Sequence, residues 1–213
     1  MTTHHDVLHD ELVRRHAPLI AQATATVADP QVRHRGTFGG SLAHADRAGD
    51  LGAVALALGC EFVVSGPADE RRLTAADFFV DYLTTALAPG ELLTAVRVPK
   101  LGDGWSSHYE KFNRVAQAWS IVGVAALVRL DGGTSIIETR IGLTNMGPTP
   151  VRATATEAAL AGAPASRDAI TAAASHAADG THPPSDLSGG SDYREHLAQA
   201  LTARAVLAAI GSH

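Results

Sequence analysis

Cysteine is almost missing from this sequence: Cys60 is the only one among 213 residues. A lone thiol makes no internal disulfide and supplies no framework for an iron–sulfur cluster. If the chain takes part in redox chemistry, its electron carrier is organic or sits in another chain. Aromatics are scarce as well, at 5%, so a core must come from Leu, Val, Ile and Ala. No run of Lys or Arg exceeds two residues and the net charge is −5, which argues against a nucleic-acid surface. No apolar run approaches the roughly 18 residues of a membrane span. The polar opening Met1-Thr2-Thr3-His4-His5-Asp6 is unlike a secretory signal, so the cytoplasm is the expected compartment. His-Glu-x-x-His, Gly-x-Ser-x-Gly, a phosphate-loop Gly-Lys-Ser/Thr and Gly-x-Gly-x-x-Gly are all absent. Those absences argue against zincin, hydrolase and nicotinamide-dinucleotide readings.

What is present is a folded composition, with 46% apolar and 18% charged residues. By count 40 residues are Ala, and the 11 histidines are scattered as surface residues usually are. Helical spacing predicts a helix over 6–27, broken near Pro18, then a polar loop over 31–40 and an Ala/Leu helix over 51–58 with Asp50 as its N-cap. Strands are expected over 61–65, 71–74 and 92–98, the last with Leu92, Thr94, Val96 and Val98 on one face, and a short helix over 75–82. Turns are expected at Gly66-Pro67-Ala68-Asp69 and Pro89-Gly90-Glu91. Pro99-Lys100-Leu101-Gly102-Asp103-Gly104 reads as a linker. After it come strands over 106–113, 120–130 and 135–144, with an Asp131-Gly132-Gly133 turn between the last two. Ala-rich helices are expected over 153–161, 167–178 and 191–210, the last two separated by a loop over 181–190. In the last helix Tyr193, Leu197, Leu201 and Ala205 form one stripe.

The informative segment runs from Arg35 to Asp50. Gly36, Gly39 and Gly40 let the backbone approach a ligand without Cβ clashes. Exposed N–H groups there suit phosphate or carbonyl oxygens, with Thr37 and Ser41 adding hydroxyls. Asp46 and Asp50 offer acceptors for ribose or ribityl hydroxyls. Their four-residue spacing also admits a metal, and an ordinary glycine-rich turn explains the same residues without a ligand. His182 and Asp186 in the 181–190 loop suggest a partner-facing or capping loop.

The run Val32-Arg33-His34-Arg35-Gly36-Thr37-Phe38-Gly39-Gly40-Ser41-Leu42-Ala43-His44-Ala45-Asp46 resembles the second flavin-binding segment of the FAD-binding medium subunits of molybdenum hydroxylases, the carbon monoxide dehydrogenase and xanthine dehydrogenase relatives. Further stretches match in order: Ala75-Ala76-Asp77-Phe78-Phe79, Thr85-Ala86-Leu87-Ala88-Pro89-Gly90-Glu91-Leu92-Leu93, Tyr109-Glu110-Lys111-Phe112-Asn113-Arg114, Trp119-Ser120-Ile121-Val122-Gly123-Val124-Ala125, Gly147-Pro148-Thr149-Pro150-Val151-Arg152-Ala153 and Ser191-Asp192-Tyr193-Arg194. The resemblance covers nearly the whole chain. Phe38 stands where the family has an aliphatic residue and Arg47 where it commonly has proline.

The resemblance implies an α+β fold. Residues 1–100 would be the C-terminal part of an FAD-binding domain, an antiparallel sheet with helices. Residues 101–213 would be a small three-stranded antiparallel sheet packed on helices. It implies that Thr37, Phe38, Gly39, Gly40 and Ser41 line FAD, that Asp50 faces it, and that Leu93 packs on the isoalloxazine ring. Lys111, or its neighbour Glu110, would approach the flavin, and Tyr109 would stack near it or pack on the linker. No metal site and no catalytic side chain are expected here. The molybdenum cofactor would lie in a large partner subunit and the iron–sulfur clusters in a small one. Electrons would pass from the iron–sulfur subunit through FAD to an external acceptor, the chain being inactive alone. The family's first glycine-rich loop, which holds the FAD pyrophosphate, has no counterpart before Arg33. An N-terminal segment carrying it is therefore expected upstream, in another chain, or lost. In the last case the chain would be a flavin-free assembly subunit of the same complex.

Overall fold

The computed structural model describes residues 1–67, 69–132 and 134–211. It opens with three short helices, α1 (His4–His9), α2 (Glu11–His16) and α3 (Pro18–Ala25). The single helix expected over 6–27 breaks at Pro18, and also at Asp10. Asp10 leaves the helical region and its carboxylate accepts the Val13 N–H at 2.9 Å, closing one helix and capping the next. This second break turns Leu12 off the apolar stripe, whereas Val7, Leu19, Ile20 and Ala23 stay in the core.

The stretch expected as a loop is largely helical. α4 (Pro30–Arg33) is capped by Asp29, and α5 (Phe38–His44) by Thr37, whose hydroxyl accepts the Gly40 N–H at 3.0 Å. A Cβ on residue 40 would collide with that hydroxyl, so the cap requires glycine there. α6 (Asp50–Leu58) starts one residue earlier than expected. Its N-cap is Gly49, not Asp50, because the Asp50 carboxylate is engaged across the molecule. Apart from Gly52 every residue of α6 is buried, as befits a helix covered on all sides.

β1 (Glu61–Ser65) pairs antiparallel with β2 (Glu70–Thr74) and with β5 (Leu92–Arg97). Between them α7 (Ala75–Phe78) is shorter than expected. Phe79 turns extended into β3 (Phe79–Asp81), which pairs with β4 (Thr84–Thr85). A register shift between Val63 and Val64 breaks the expected alternation of β5. Leu92 is left exposed, while Leu93, Val96 and Val98 pack on the core. Cys60, just before β1, is buried, and burial pushes its thiol up to about 12.

The second sheet has four strands rather than three, ordered β6 (Trp105–Phe112), β7 (Val122–Leu130), β8 (Ile136–Thr144) and β9 (Val151–Arg152). The extra strand is a two-residue addition to the β8 edge. The turns expected at 66–69 and 131–133 include Ala68 and Gly133, which lie outside the described residues. α8 (Thr154–Leu160), α9 (Arg167–Ala174) and α10 (Ser191–Ile210) follow. Leu197, Leu201 and Ala205 of α10 pack with Val124, Ala126 and Val128 on one face of β7. On its other face Ala125 and Leu127 join α3 and α6. The helix–sheet contact is so close that a Cβ at Gly142 would overlap the Ala53 carbonyl oxygen. No helix among the described residues is long and apolar enough to cross a membrane.

Candidate functional site

The most unusual group in the molecule is a charged pair withdrawn from water. Asp50, at the first position of α6, meets Lys111 of β6 at 2.8 Å, with side chains only 5% and 6% exposed. The helix N-terminus favours a negative charge at that position. Asp50 Oδ2 takes the ammonium, while Oδ1 accepts two hydroxyls, from Tyr109 at 2.7 Å and Ser120 at 2.6 Å. Lys111 also donates to the Thr26 carbonyl at 3.1 Å. An ammonium has three N–H donors. The third has no protein acceptor among the described residues. Tyr109 is fully enclosed. Burial first, then the Asp50 charge, pushes its phenol well above the ordinary range, so it stays a neutral donor.

Lys111 and Asp50 lie on the wall of a cavity of about 330 Å³. Val27, Val32, Ala45 and Phe79 give it apolar sides, and Gln117 and Trp119 stand on the connection between β6 and β7. Trp119 is 60% exposed. His4 also lines the cavity. It is buried, its Nδ1 has no partner, and burial, helped by the nearby Arg33 charge, lowers its pKa.

Backbone strain is concentrated at this cavity. Among the described residues five non-glycines have positive φ: Ala28, Ala45, Leu83, Gln117 and Asn145. Ala28, Ala45 and Gln117 line the cavity. Leu83 and Asn145 donate their N–H groups to Ala45 and Arg47, in the connection between α5 and α6. Left-handed non-glycine residues cost about 1–3 kcal/mol each and gather at functional sites.

A second hollow, also of about 330 Å³, takes the first turn of α5. Thr37, Phe38, Gly39, Gly40 and Leu93 line it, with Val7, Val13 and Ile20 beyond. The residues singled out in the sequence therefore divide between two neighbouring sites. Thr37 to Gly40 and Leu93 face one, and Ser41, Asp50 and Lys111 face the other. α1 and α5 contribute to both. Several donors of the glycine segment are engaged internally. Phe38 N–H goes to the Thr2 carbonyl, Gly40 N–H to the Thr37 hydroxyl, and the Ser41 hydroxyl to the Phe38 carbonyl. Gly39 N–H has no acceptor among the described residues. Asp46 accepts from Ala48 N–H, two residues on, and no group of three or more His, Cys, Asp or Glu suited to a metal occurs among the described residues. His4 and Gln117 escaped the sequence reading, since nothing local distinguishes them. Trp119 and Ser120 opened the matching stretch 119–125, which carried the resemblance but assigned neither side chain a role.

The donor set suits a flavin nucleotide. A flat heteroaromatic ring fits an apolar slot with one cationic donor on its wall, and the adjoining hollow offers space and a free N–H for the rest of the molecule. Comparison with known proteins defines the class: residues 1–101 match the model of the FAD binding domain in molybdopterin dehydrogenase, and residues 107–209 match the CO dehydrogenase flavoprotein C-terminal domain. The carbon monoxide dehydrogenase medium chain of Hydrogenophaga pseudoflava is 36% identical over 98% of this chain and 72% of that protein. The glyceraldehyde dehydrogenase medium chain of Sulfolobus acidocaldarius is 34% identical over 96% of this chain and 72% of its own length. A solved carbon monoxide dehydrogenase from Hydrogenophaga pseudoflava superposes with a TM-score of 0.94 at 38% identity, covering 99% of this chain and 73% of that one. This chain belongs to the family of FAD-binding medium subunits of carbon monoxide dehydrogenase and its xanthine dehydrogenase relatives. FAD is its cofactor.

Proposed function

We propose that this chain is the flavin-carrying relay of a molybdenum hydroxylase. It takes electrons from an iron–sulfur partner subunit, served in turn by a molybdenum-containing large subunit, and passes them through FAD to an external acceptor in the cytoplasm. Alone it turns over no substrate. Residues 1–100 act as the flavin-binding part and residues 101–213 as the C-terminal domain that closes over it. The observation that carries the reading is the buried Asp50–Lys111 pair, with one N–H undonated, on the wall of a cavity with strained walls. When bound, FAD supplies the redox chemistry. The protein's part is to bind, orient and dry. Lys111 offers a cationic hydrogen bond to an acceptor atom of the ring. Asp50 keeps that ammonium in place, and Trp119 shields the mouth from water. Ser41 lines the ring cavity, while Thr37, Phe38, Gly39, Gly40 and Leu93 flank the remainder of the dinucleotide, so in this reading Leu93 packs on that remainder and not on the ring as expected.

A flavin-free assembly subunit is the competing reading, favoured by the internal pairing of Phe38, Gly40 and Ser41. Titrating FAD into the purified chain, alone and with its partner subunits, decides between them. Trp119 fluorescence should be quenched, and Trp119→Phe should remove the quench. Trp105, packed against Arg129 and Arg140, should stay unaffected. Lys111→Gln should weaken FAD binding about ten- to a hundredfold, since a hydrogen bond to a charged group contributes about 1.5–3 kcal/mol. Absence of bound FAD in both preparations leaves the assembly reading standing.

A further inference from the structure

The two hydroxyls on Asp50 form an arrangement that no simple ion pair needs. Lys111 is already neutralised by Oδ2, yet Oδ1 carries two further donors, from Tyr109 on the same strand as Lys111 and Ser120 just before β7. Both hydroxyls are fixed from behind. The Tyr109 hydroxyl fills a space where a Cβ at residue 123 would collide with it, a space left by Gly123. The Ser120 and Ile121 carbonyls are held by Asn145 Nδ2 at 2.9 and 3.2 Å. The fully buried Arg194 adds a 2.5 Å bond to Ile121. Asn145 also donates its own N–H to Arg47, so one residue ties the connection before α6 to the segment bearing Ser120.

We propose that Tyr109 and Ser120 are positioning residues that tune the flavin through Asp50. By drawing carboxylate charge onto Oδ1, they weaken the hold of Oδ2 on Lys111 and leave the ammonium's field available to the cavity. The inference rests on the reading that FAD binds beside Lys111. A positive field favours the electron-rich reduced cofactor over the oxidised one. Without either hydroxyl, Asp50 offsets Lys111 more completely, and the reduced form loses most.

The test uses the full chain loaded with FAD, comparing wild type, Tyr109→Phe, Ser120→Ala and Lys111→Gln. Tyr109→Phe keeps the ring and its packing, and Ser120→Ala probes the same oxygen from the segment before β7 if the first variant folds poorly. The expected result is a more negative flavin midpoint potential in both hydroxyl variants. A tenfold selective loss of reduced-form affinity reads as about 30 mV for a two-electron couple. In the Lys111→Gln background, Tyr109→Phe should add little, because the effect passes through the same pair. If Lys111→Gln weakens binding but both hydroxyl variants keep the wild-type potential, the positioning role is overturned while the cavity reading stands. If wild type takes up no FAD, or Lys111→Gln binds it unchanged, the cavity reading fails and the positioning role falls with it.

Discussion

Asp50 and Lys111 are charges taken almost wholly out of water, so each is costly without the other. Lys111→Met should destabilise the chain by about 3–5 kcal/mol, the usual result of leaving a buried charge unpaired. Adding Asp50→Asn should recover part of that loss, and urea unfolding of the two single variants and the double measures both. Both residues were named from the sequence, but their arrangement was not legible there. Tyr109 and Ser120 reach Asp50 across 59 and 70 residues of chain. Only the folded register of β6, with Tyr109 and Lys111 two apart on one face, brings them together. Asp50 itself looked like an N-cap, because a carboxylate beside a helix start normally serves the nearest amides. Here three distant donors outcompete those amides.

Most elements were legible at the scale of strands and helices. The misreadings share a cause. Thr37 and Asp10 act as caps inside stretches read without them, so a loop became a helix and the helix expected to break only at Pro18 breaks at Asp10 as well. The shift in β5 displaced Leu92 because register is set by the partner strand rather than by the strand's own alternation. Glu91 shows how such connections are pinned. Arg71 donates to both its oxygens, at 2.8 and 2.7 Å, and Ala88 N–H adds a third bond at 2.6 Å. These contacts, the Arg71 hydrogen bonds first, hold the Glu91 carboxyl at about 2 instead of its ordinary 4.5. Its folded value is depressed, so its stabilisation is complete above about pH 4.5 and fades as pH falls towards 2. Glu91→Gln should flatten the acid side of the stability profile in that window, as read by thermal melts across pH. Packing gives a second prediction at this scale. Gly142→Ala places a methyl on the Ala53 carbonyl and should cost about 3 kcal/mol, the upper end for overpacking. Gly102→Ala, where a Cβ meets nothing within 4 Å, should be near neutral in the same melts.

The whole molecule spans about 72% of the length of the relatives it matches. The boundary between its two matched segments, 1–101 and 107–209, is not mirrored by its packing. Trp105, Tyr109, Ala125 and Leu127, all beyond the expected linker, belong to the same apolar cluster as α1, α3 and α6. The alanine richness noted in the sequence finds its use here, since Ala53, Ala55 and Ala57 allow α6 to sit unusually close to the sheet. That closeness has a consequence for access. β7 is dry on both faces from Val122 to Val128, so no wet seam separates its sheet from α3 and α6 on one side or from α10 on the other. The cavity is thus closed on its inner side by tightly packed helix and sheet. Its wall on the exposed side is instead the short connection carrying Gln117 and Trp119, a handful of residues whose side chains reach solvent.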